Sequence, residues 1–188
     1  KTLLARVTSG KPQQLSADVP ERPVIIFTDG AVETNESGNV EATIGGVLIC
    51  DNTVQMFGNR VDDDVLKDWM TELNHPVGLT ELYAVVVALG LWKDVIAGRR
   101  VICFCDNWTA IDVFVKSSSP IRWWRRLLLA LEKIDENLNC LLWMARVASP
   151  SNVADPPSRG RWDQVEFMKP FVIRHPRCPI TGKALERL

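Results

Sequence analysis

The chain has 188 residues, of which 46% are hydrophobic and 24% are charged, and its formal net charge at pH 7 is −1. These values are typical of a globular chain that buries one good core, and the near-zero charge excludes a general electrostatic attraction to nucleic acid. The longest uncharged apolar runs, such as residues 82–92, fall well short of the ~20 residues that a membrane span requires. Nothing at the N-terminus resembles a signal peptide.

The chain begins at Lys1 rather than at a methionine, so we expect a fragment of a longer protein. It contains five cysteines, an odd number, and most of them lie in strand-like apolar stretches. This pattern favours reduced thiols in an intracellular compartment, cytoplasm or nucleus, over a disulfide framework. Cys103 and Cys105 share one face of a strand, but no Cys/His pair at zinc spacing accompanies them, and a zinc site is not favoured.

Residues 1–23 are rich in proline and polar residues and are predicted to form an arm or linker. Residues 24–29 are then typical of a buried strand that ends at the dipeptide Asp29-Gly30. This dipeptide alone favours a hairpin turn. Residues 42–50 and 53–61 are predicted to continue the chain as an antiparallel meander. Gly45-Gly46 inside the second of these strands indicates a bulge or a close backbone approach.

Residues 62–73 are predicted to form a short helix. The acidic triplet Asp62-Asp63-Asp64 at its start resembles a metal ligand set, but it is better explained by the helix dipole and capping. A second, almost entirely apolar helix is predicted over residues 80–97. Its exception is Glu81 in the first turn. Glu81 either interacts favourably with the helix dipole beside a Thr80 cap or serves a function, and the pattern alone leaves both open.

A fourth buried strand, residues 101–105, repeats the pattern of the first, because it delivers a carboxylate, Asp106, at its C-terminal end. Helices over 107–116 and 121–137 and a strand over 139–148 complete the predicted elements. The fold class is therefore α/β, with a five-stranded mixed sheet (three antiparallel strands, then two parallel ones) flanked by helices. The domain is placed at residues 24–160, and residues 161–188 are expected to form a mostly irregular C-terminal extension.

Four carboxylates fall where predicted elements start or stop: Asp29, Glu81, Asp106 and Asp155. Two hydrophobic strands that each deliver an aspartate at one sheet edge are typical of a site in an α/β protein. Four converging carboxylates repel one another, and divalent cations relieve that repulsion. Hard oxygen ligands suit two Mg²⁺ ions about 3.5–4 Å apart, which is the arrangement for phosphodiester cleavage.

The sequence resembles the ribonuclease H family, and more narrowly the RNase H domain of retroelement reverse transcriptases. The resemblance covers residues 24 to about 160 and rests on four motifs in order. These are Phe-Thr-Asp-Gly-Ala at 27–31, Leu-Thr-Glu-Leu-Tyr-Ala at 79–84, Cys-Asp-Asn-Trp-Thr-Ala at 105–110 and Ser-Asn-Val-Ala-Asp-Pro-Pro-Ser-Arg at 151–159. The resemblance implies an RNase H-like fold, with Asp29, Glu81, Asp106 and Asp155 as catalytic ligands of two Mg²⁺ ions, which Mn²⁺ can replace.

Three departures from the family pattern stand out. Residues 144–154 contain no histidine, and neither His75 nor His175 occupies the corresponding position, so we expect leaving-group protonation or product release to be handled differently. Residues 61–79 form an insertion relative to cellular members. Pro156-Pro157 directly after Asp155 is expected to prevent the last helix from starting at once.

The substrate-binding residues are expected at several places around these acids. The resemblance implies that Gly30 and Ala31 contact the RNA strand, and that the start of the fourth helix contacts the DNA strand. The alternative for that helix is one core tryptophan and a solvated arginine face, and we expect one tryptophan of each kind. The candidates at these places are Gly30, Ala31, Asn107, Arg122, Trp123, Trp124, Arg125, Arg126, Asn152, Ser158 and Arg159. The C-terminal end is also locally basic, through Arg159, Arg161, Arg174, Arg177, Lys183 and Arg187.

The function predicted from the full acid set is Mg²⁺-dependent endonucleolytic cleavage of the RNA strand of RNA/DNA hybrids. The partner is the hybrid duplex, and the parent is a reverse transcriptase polypeptide to which the domain is fused or from which it is processed. One alternative is an RNase H-like module that binds nucleic acid or acts as a scaffold without turnover. Another is a transposase- or resolvase-type nuclease of the same fold. No membrane partner is expected.

Overall fold

The computed structural model describes residues 22–35 and 37–176. Its strands are β1 (Val24–Thr34), β2 (Val40–Cys50), β3 (Thr53–Arg60), β4 (Arg100–Cys105), β5 (Leu141–Arg146) and β6 (Phe171–Ile173). Its α-helices are α1 (Asp63–Met70), α2 (Val77–Leu91), α3 (Lys93–Ile96), α4 (Trp108–Lys116), α5 (Arg122–Leu138) and α6 (Asp155–Ser158), with 3₁₀ turns at Ser149–Ser151 and Trp162–Met168.

The strands form one mixed sheet in the order β5-β4-β1-β2-β3-β6. β1, β2 and β3 are antiparallel neighbours, and β4 and β5 add in parallel on the β1 side, as the sequence predicts. The strand count of five was wrong, because β6 pairs in parallel with β3 at the opposite edge. This three-residue strand lies between prolines in a stretch expected to be irregular, and its pairing depends on β3, which no local pattern shows.

β1 does not end at Asp29. It runs on to Thr34, because β2 pairs with it without interruption from Ile25 opposite Ile49 to Thr34 opposite Val40. The turn alternative for Asp29-Gly30 is therefore wrong. The same unbroken register excludes a bulge at Gly45-Gly46 and leaves the close approach: a side chain at Gly46 would strike the Phe57 ring.

Helix α2 is the centre of the core, since every side chain from Leu79 to Leu89 is buried. It packs against β1 and β2 on one side and against α4 and α5 on the other. It begins three residues before the predicted start, so Thr80 is not its cap; the Thr80 hydroxyl instead donates to the carbonyl of Pro76 at 3.1 Å. A helix that is apolar all round is the kind that a core surrounds.

The segment between β3 and α2 forms a core-covering helix. Asp62 caps α1 through a side-chain bond to the amide of Asp64 (3.0 Å), which confirms the capping interpretation of the acidic triplet. Trp69 of α1 is fully buried and lies edge-on to Tyr83 and Trp123. This segment therefore closes the core over α2 and α5.

A second, smaller apolar cluster lies on the opposite sheet face. Its buried members are Val47 and Met56 from the sheet, Ala154 and Val165. Trp162, Met168 and Phe171 of the C-terminal segment pack against it. Residues after 160 therefore cover the sheet. Among the described residues, no helix has the length and apolar character to cross a membrane.

Candidate active site

Asp29 and Asp106 lie side by side at the centre of the sheet. The parallel register pairs Phe27 of β1 with Phe104 of β4, and each aspartate follows two residues later. Their carboxylates therefore leave neighbouring strands at the same level. Asp29 is 4% exposed, and Asp106, at the end of β4, is half-buried.

Glu81 enters the site from α2, and Gly30 sets how closely that helix approaches. A Cβ atom at Gly30 would lie 2.6 Å from the Glu81 amide nitrogen and 2.6 Å from the Thr80 carbonyl carbon. Only a residue without a side chain permits this contact between strand and helix. The Glu81 side chain, 4% exposed, is thereby held beside the two aspartates.

Asp155 is the first residue of α6. The expectation that Pro156-Pro157 delays this helix was wrong: both prolines lie in its first turn, where no backbone donor is needed. A side chain at Gly45 would strike the backbone of Ser158, and one at Gly58 would strike the carbonyl of Pro157. Two glycines thus let α6 rest directly on β2 and β3, which brings Asp155 to the site.

The closing segment fixes the Asp29 carboxylate. The Ser158 hydroxyl donates to Asp29 Oδ2 at 2.5 Å. The Asn152 side-chain amide donates to the Thr28 carbonyl at 3.0 Å and to Asp29 Oδ1 at 3.4 Å, while its oxygen accepts from the Ala154 amide at 3.2 Å. Asn152 and Ser158 were predicted to bind substrate, and in the structure both are buried and orient Asp29.

A thiol joins the acids on the inner side of the site. Ligand atoms of Glu81, Cys105 and Asp106 lie within 4.8 Å of one another. The Cys105 Sγ donates to Glu81 Oε2 at 3.7 Å, and burial raises the pKa of this thiol well above its usual range. Cys105 therefore remains a protonated donor that helps to orient Glu81.

Burial and mutual repulsion make the site electrostatically unfavourable without a cation. Burial, reinforced by Asp106 and Asp155, raises the pKa of Asp29 from 3.8 to about 6, against the opposing effect of the Ser158 hydrogen bond. Burial, reinforced by Asp29 and Asp106, raises the pKa of Glu81 from 4.5 to about 10. Divalent cations would relieve this cost.

The donor set fits hard divalent cations. It consists of carboxylate oxygens from Asp29, Glu81, Asp106 and Asp155, and such oxygens are the ligands that Mg²⁺ prefers in proteins. Two of the four are almost fully buried with raised pKa values, and buried carboxylates with such shifts are common at functional sites. These residues could therefore hold Mg²⁺.

Arg159 compensates part of this negative charge. Its Nε donates to Asp155 Oδ1 at 2.8 Å, and its Nη1 pairs with Glu33 on β1. The arginine thus joins the end of α6 to the outer half of β1 and offsets the negative charge of Asp155. In the structure Arg159 contacts the protein groups Asp155 and Glu33. Substrate binding by Arg159 stays a prediction.

The basic and aromatic start of α5 differs from expectation. Trp123 and Trp124 are both buried, 0% and 4% exposed, so the prediction that one of them faces substrate was wrong. The start of α5 packs between α1 and α2, so side chains on both of these sides of the helix are buried. Arg122 pairs with Glu72 (2.7 Å) and Asp68 (3.2 Å) of the segment between β3 and α2. Arg125 donates to the Pro120 carbonyl at 2.9 Å, and Arg126 stacks on the Trp123 ring at 4.8 Å.

The structure also gives the positions of the remaining substrate-binding candidates, whose roles stay predictions. Gly30 and Ala31 lie buried in β1 beside Asp29. Asn107 caps α4, accepting from the Ala110 amide at 3.1 Å. Of the C-terminal basic residues, Arg174 donates to Gln55 at 2.8 Å. Arg177, Lys183, Arg187 and Cys178 lie outside the described residues, as do residues 1–21 of the predicted arm.

The sequence analysis missed three residues at this edge: Cys105 as a partner of Glu81, and the pair Trp108 and Arg146. Strand alternation already places Cys105 on the buried face with Cys103, so its side could have been inferred. Trp108 is 65% exposed, and the Arg146 guanidinium lies 5.0 Å from its ring centroid. No local pattern shows that a tryptophan in the first turn of an amphipathic helix faces solvent.

Comparison with solved structures identifies the fold. The RNase H1 of the halophilic archaeon Halobacterium salinarum superposes with a TM-score of 0.53 at 15% sequence identity, covering 76% of this chain and 99% of that chain. The chain has the ribonuclease H fold. Neither a protein-family model nor a curated protein matches the sequence.

Two further ribonuclease H structures were solved with nucleic acid. LC11-RNase H1 in complex with an RNA/DNA hybrid gives a TM-score of 0.52 at 14% identity, covering 76% of this chain and 98% of that chain. The foamy viral protease-reverse transcriptase in complex with an RNA/DNA hybrid gives 0.52 at 11% identity, covering 80% of this chain and 22% of that chain. This chain therefore corresponds to about one fifth of the length of the viral protein.

Proposed function

We propose that this ribonuclease H fold is a metal-dependent endonuclease that hydrolyses the RNA strand of RNA/DNA hybrids. One observation carries the proposal: the fold brings Asp29, Glu81 and Asp106 together at the sheet centre and adds Asp155 from α6. Glycines of the sheet permit the close approach of both helices, Gly30 under α2 and Gly45 and Gly58 under α6. A core needs no buried carboxylates, whereas a metal site does.

The chemistry divides between the cation and the chain. Bound Mg²⁺ supplies an activated water and stabilises charge on the leaving oxygen. Asp29 is held by Ser158 and Asn152, and Glu81 is held by Cys105. Both carboxylates would therefore bind the cation with little reorganisation. Arg159 holds Asp155 at the more exposed side. No histidine occurs over 144–154, so water or a substrate group protonates the leaving oxygen.

The neighbours support an RNA/DNA hybrid as the substrate class. LC11-RNase H1 and the foamy viral enzyme were both solved with an RNA/DNA hybrid, and the latter supports a reverse transcriptase polypeptide as the parent of this chain. A hybrid differs from duplex DNA in groove shape and in the 2′-hydroxyls of one strand. Gly30 and Ala31 lie beside Asp29 in β1, and the proposal assigns their backbone groups as contacts for such hydroxyls.

The compartment is an intracellular, reducing one. Cys50, Cys103, Cys105 and Cys140 are free and buried. Buried thiols of this kind act as small apolar side chains. They stay reduced in compartments where disulfides are rare.

A substrate panel tests the proposal. The chain is incubated in Mg²⁺, and separately in Mn²⁺, with a hybrid labelled on either strand, single-stranded RNA, duplex RNA and duplex DNA. We expect internal cuts in the RNA strand of the hybrid alone, and none in EDTA.

Other outcomes of the panel would overturn the proposal in distinguishable ways. Cleavage of duplex DNA would favour a transposase- or resolvase-type nuclease. Hybrid binding without cleavage in either metal would favour a binding or scaffold module that has kept the acids. Cleavage that persists in EDTA would contradict the metal site itself.

A further inference from the structure

An exposed aromatic residue lies directly beside the acid cluster. Trp108 is the first residue of α4, two positions after Asp106, and 65% of it is exposed. The neighbouring cap fixes it there, because Asn107 accepts from the Ala110 amide at 3.1 Å. A tryptophan ring offers a large apolar face that a bound molecule can cover.

Arg146 covers this indole from the adjacent strand. It is the last residue of β5, where its register partner on β4 is Cys105, and its guanidinium carbon lies 5.0 Å from the centroid of the Trp108 ring. β4 and β5 are parallel, so both residues stand at the carboxyl edge of the sheet, where Asp106 also lies. The pair therefore borders the acid cluster.

The guanidinium of Arg146 has different partners from those of three other arginines. Arg122 and Arg159 are held by carboxylates, and Arg125 is held by backbone carbonyls. Within the described part of the chain, Arg146 forms no ion pair, and its stacking leaves the edge of the guanidinium available for hydrogen bonds. A stacked guanidinium keeps its full charge and its fork of donors.

We propose that Trp108 and Arg146 form a nucleic-acid contact that guides a strand past the acid cluster. The indole packs against a base or sugar, and Arg146 pairs with a backbone phosphate. Aromatic stacking tolerates any base sequence, and a guanidinium binds phosphate in two-point geometry. The inference rests on the proposed function for its ligand, and it assigns a substrate contact at the β4–β5 edge instead of at the α5 start, where the arginines are held by protein groups.

Equilibrium binding of a fluorescent RNA/DNA hybrid tests the contact without requiring turnover. Anisotropy is measured in EDTA, at a series of salt concentrations, for wild type, Trp108→Ala, Trp108→Phe and Arg146→Ala. We expect Trp108→Ala to weaken binding about five- to fiftyfold and Trp108→Phe to keep most of it. Arg146→Ala should lower the slope of log affinity against log salt by about one phosphate contact.

Two matched variants serve as controls. Trp143 on β5 is equally exposed (69%), and at its register position it stands opposite Ile102 rather than at the carboxyl edge. Arg60 is an exposed arginine that already pairs with Asp63 at 2.9 Å. Trp143→Ala and Arg60→Ala should leave both the affinity and the salt slope unchanged. Thermal melting confirms that every variant is folded.

The outcomes separate this contact from the proposed function. Unchanged binding in Trp108→Ala, or an equal loss in Trp143→Ala, overturns the contact even where wild type cleaves hybrid. A selective loss in Trp108→Ala supports it even where wild type cleaves nothing, in which case only the catalytic proposal fails. Absence of hybrid binding by wild type in EDTA would overturn the contact, and cleavage in Mg²⁺ would then decide the catalytic proposal by itself.

Discussion

Asp29 is a residue that is costly for folding and that the proposed metal site requires. Its carboxylate is buried beside Asp106 and Asp155, and this environment raises its pKa to about 6. Ser158 and Asn152 orient it without supplying a positive charge. The metal-free fold therefore carries a penalty at neutral pH that a cation would remove.

Asp29→Asn is expected to stabilise the metal-free protein at pH 7.5. A carboxyl whose pKa is raised on folding costs nothing below its unfolded value of 3.8, and the cost grows until the pH passes about 6. The full difference is about 2 pKa units, or about 3 kcal/mol. Urea unfolding in EDTA at pH 7.5 and at pH 4.5 should show a clear gain for the variant at the higher pH and a smaller one at the lower.

Asp112→Asn is the control for this prediction, since Asp112 is exposed and pairs with Lys116 at 2.6 Å. It should change stability by less than about 1 kcal/mol at either pH. A loss of stability at pH 7.5 in Asp29→Asn, with the control unchanged, would show that Asp29 is not a strained carboxylate.

Ser158→Ala is expected to weaken the metal site while leaving its acids intact. The substitution removes the hydroxyl that donates to Asp29 at 2.5 Å. Groups that orient a ligand typically contribute 10- to 100-fold to metal affinity or activity. The measurement is the Mg²⁺ concentration that gives half-maximal cleavage, with the exposed Ser118→Ala as control. Equal Mg²⁺ dependence in both variants would mean that Ser158 only closes the fold.

At the scale of elements, strand and helix meet through glycine. A side chain at Gly30 would lie 2.6 Å from the backbone of α2, so the position of Glu81 depends on the smallest residue. The sequence analysis treated this glycine as turn-permissive, because a dipeptide shows local conformational freedom and not the helix that later packs on it. The same limit explains Pro156 and Pro157, which were expected to delay α6 and instead occupy its first turn.

Gly30→Ala is expected to destabilise the protein by about 1–3 kcal/mol, since α2 must shift to admit the methyl group. The same shift should lower cleavage, because it moves Glu81. Gly90→Ala is the control: Gly90 lies in α2, the helix that packs on Gly30, and has open space around the position of a Cβ. That change should stabilise by roughly 0.5–1 kcal/mol. Urea denaturation of both variants measures the contrast. Stabilisation by Gly30→Ala together with destabilisation by Gly90→Ala would contradict the packing described.

At the scale of the whole molecule, the sheet has two apolar faces that are covered differently. One packs on α2, and the other packs on the C-terminal segment through Val47, Met56 and Val165. The antiparallel and parallel strand pairings and the apolar helix were predictable, because buried strands and an apolar helix are local patterns. Asp29 and Glu81 were expected at element ends, yet Asp29 lies inside β1 and Glu81 lies one turn inside α2, because β1 and α2 extend further than their local patterns show. β6 and the second cluster were not predictable, since their partners lie more than a hundred residues away in the chain.

Val165→Ala is expected to cost about 2 kcal/mol, because Val165 is fully buried in the second cluster. Phe167, in the same 3₁₀ turn, is 75% exposed. Phe167→Ala should therefore change stability by less than about 0.5 kcal/mol. Thermal unfolding of the two variants compares them directly, and equal stability would show that the segment after residue 160 does not support the sheet.

The most direct test of the central claim is single-turnover cleavage of a labelled RNA/DNA hybrid by wild type and Asp106→Asn in Mg²⁺, with hybrid binding measured in the same samples. The four-carboxylate site predicts cuts in the RNA strand by wild type, and the loss of those cuts in Asp106→Asn with binding retained. Equal cleavage by the two proteins, or binding without cleavage by wild type in both Mg²⁺ and Mn²⁺, would contradict it.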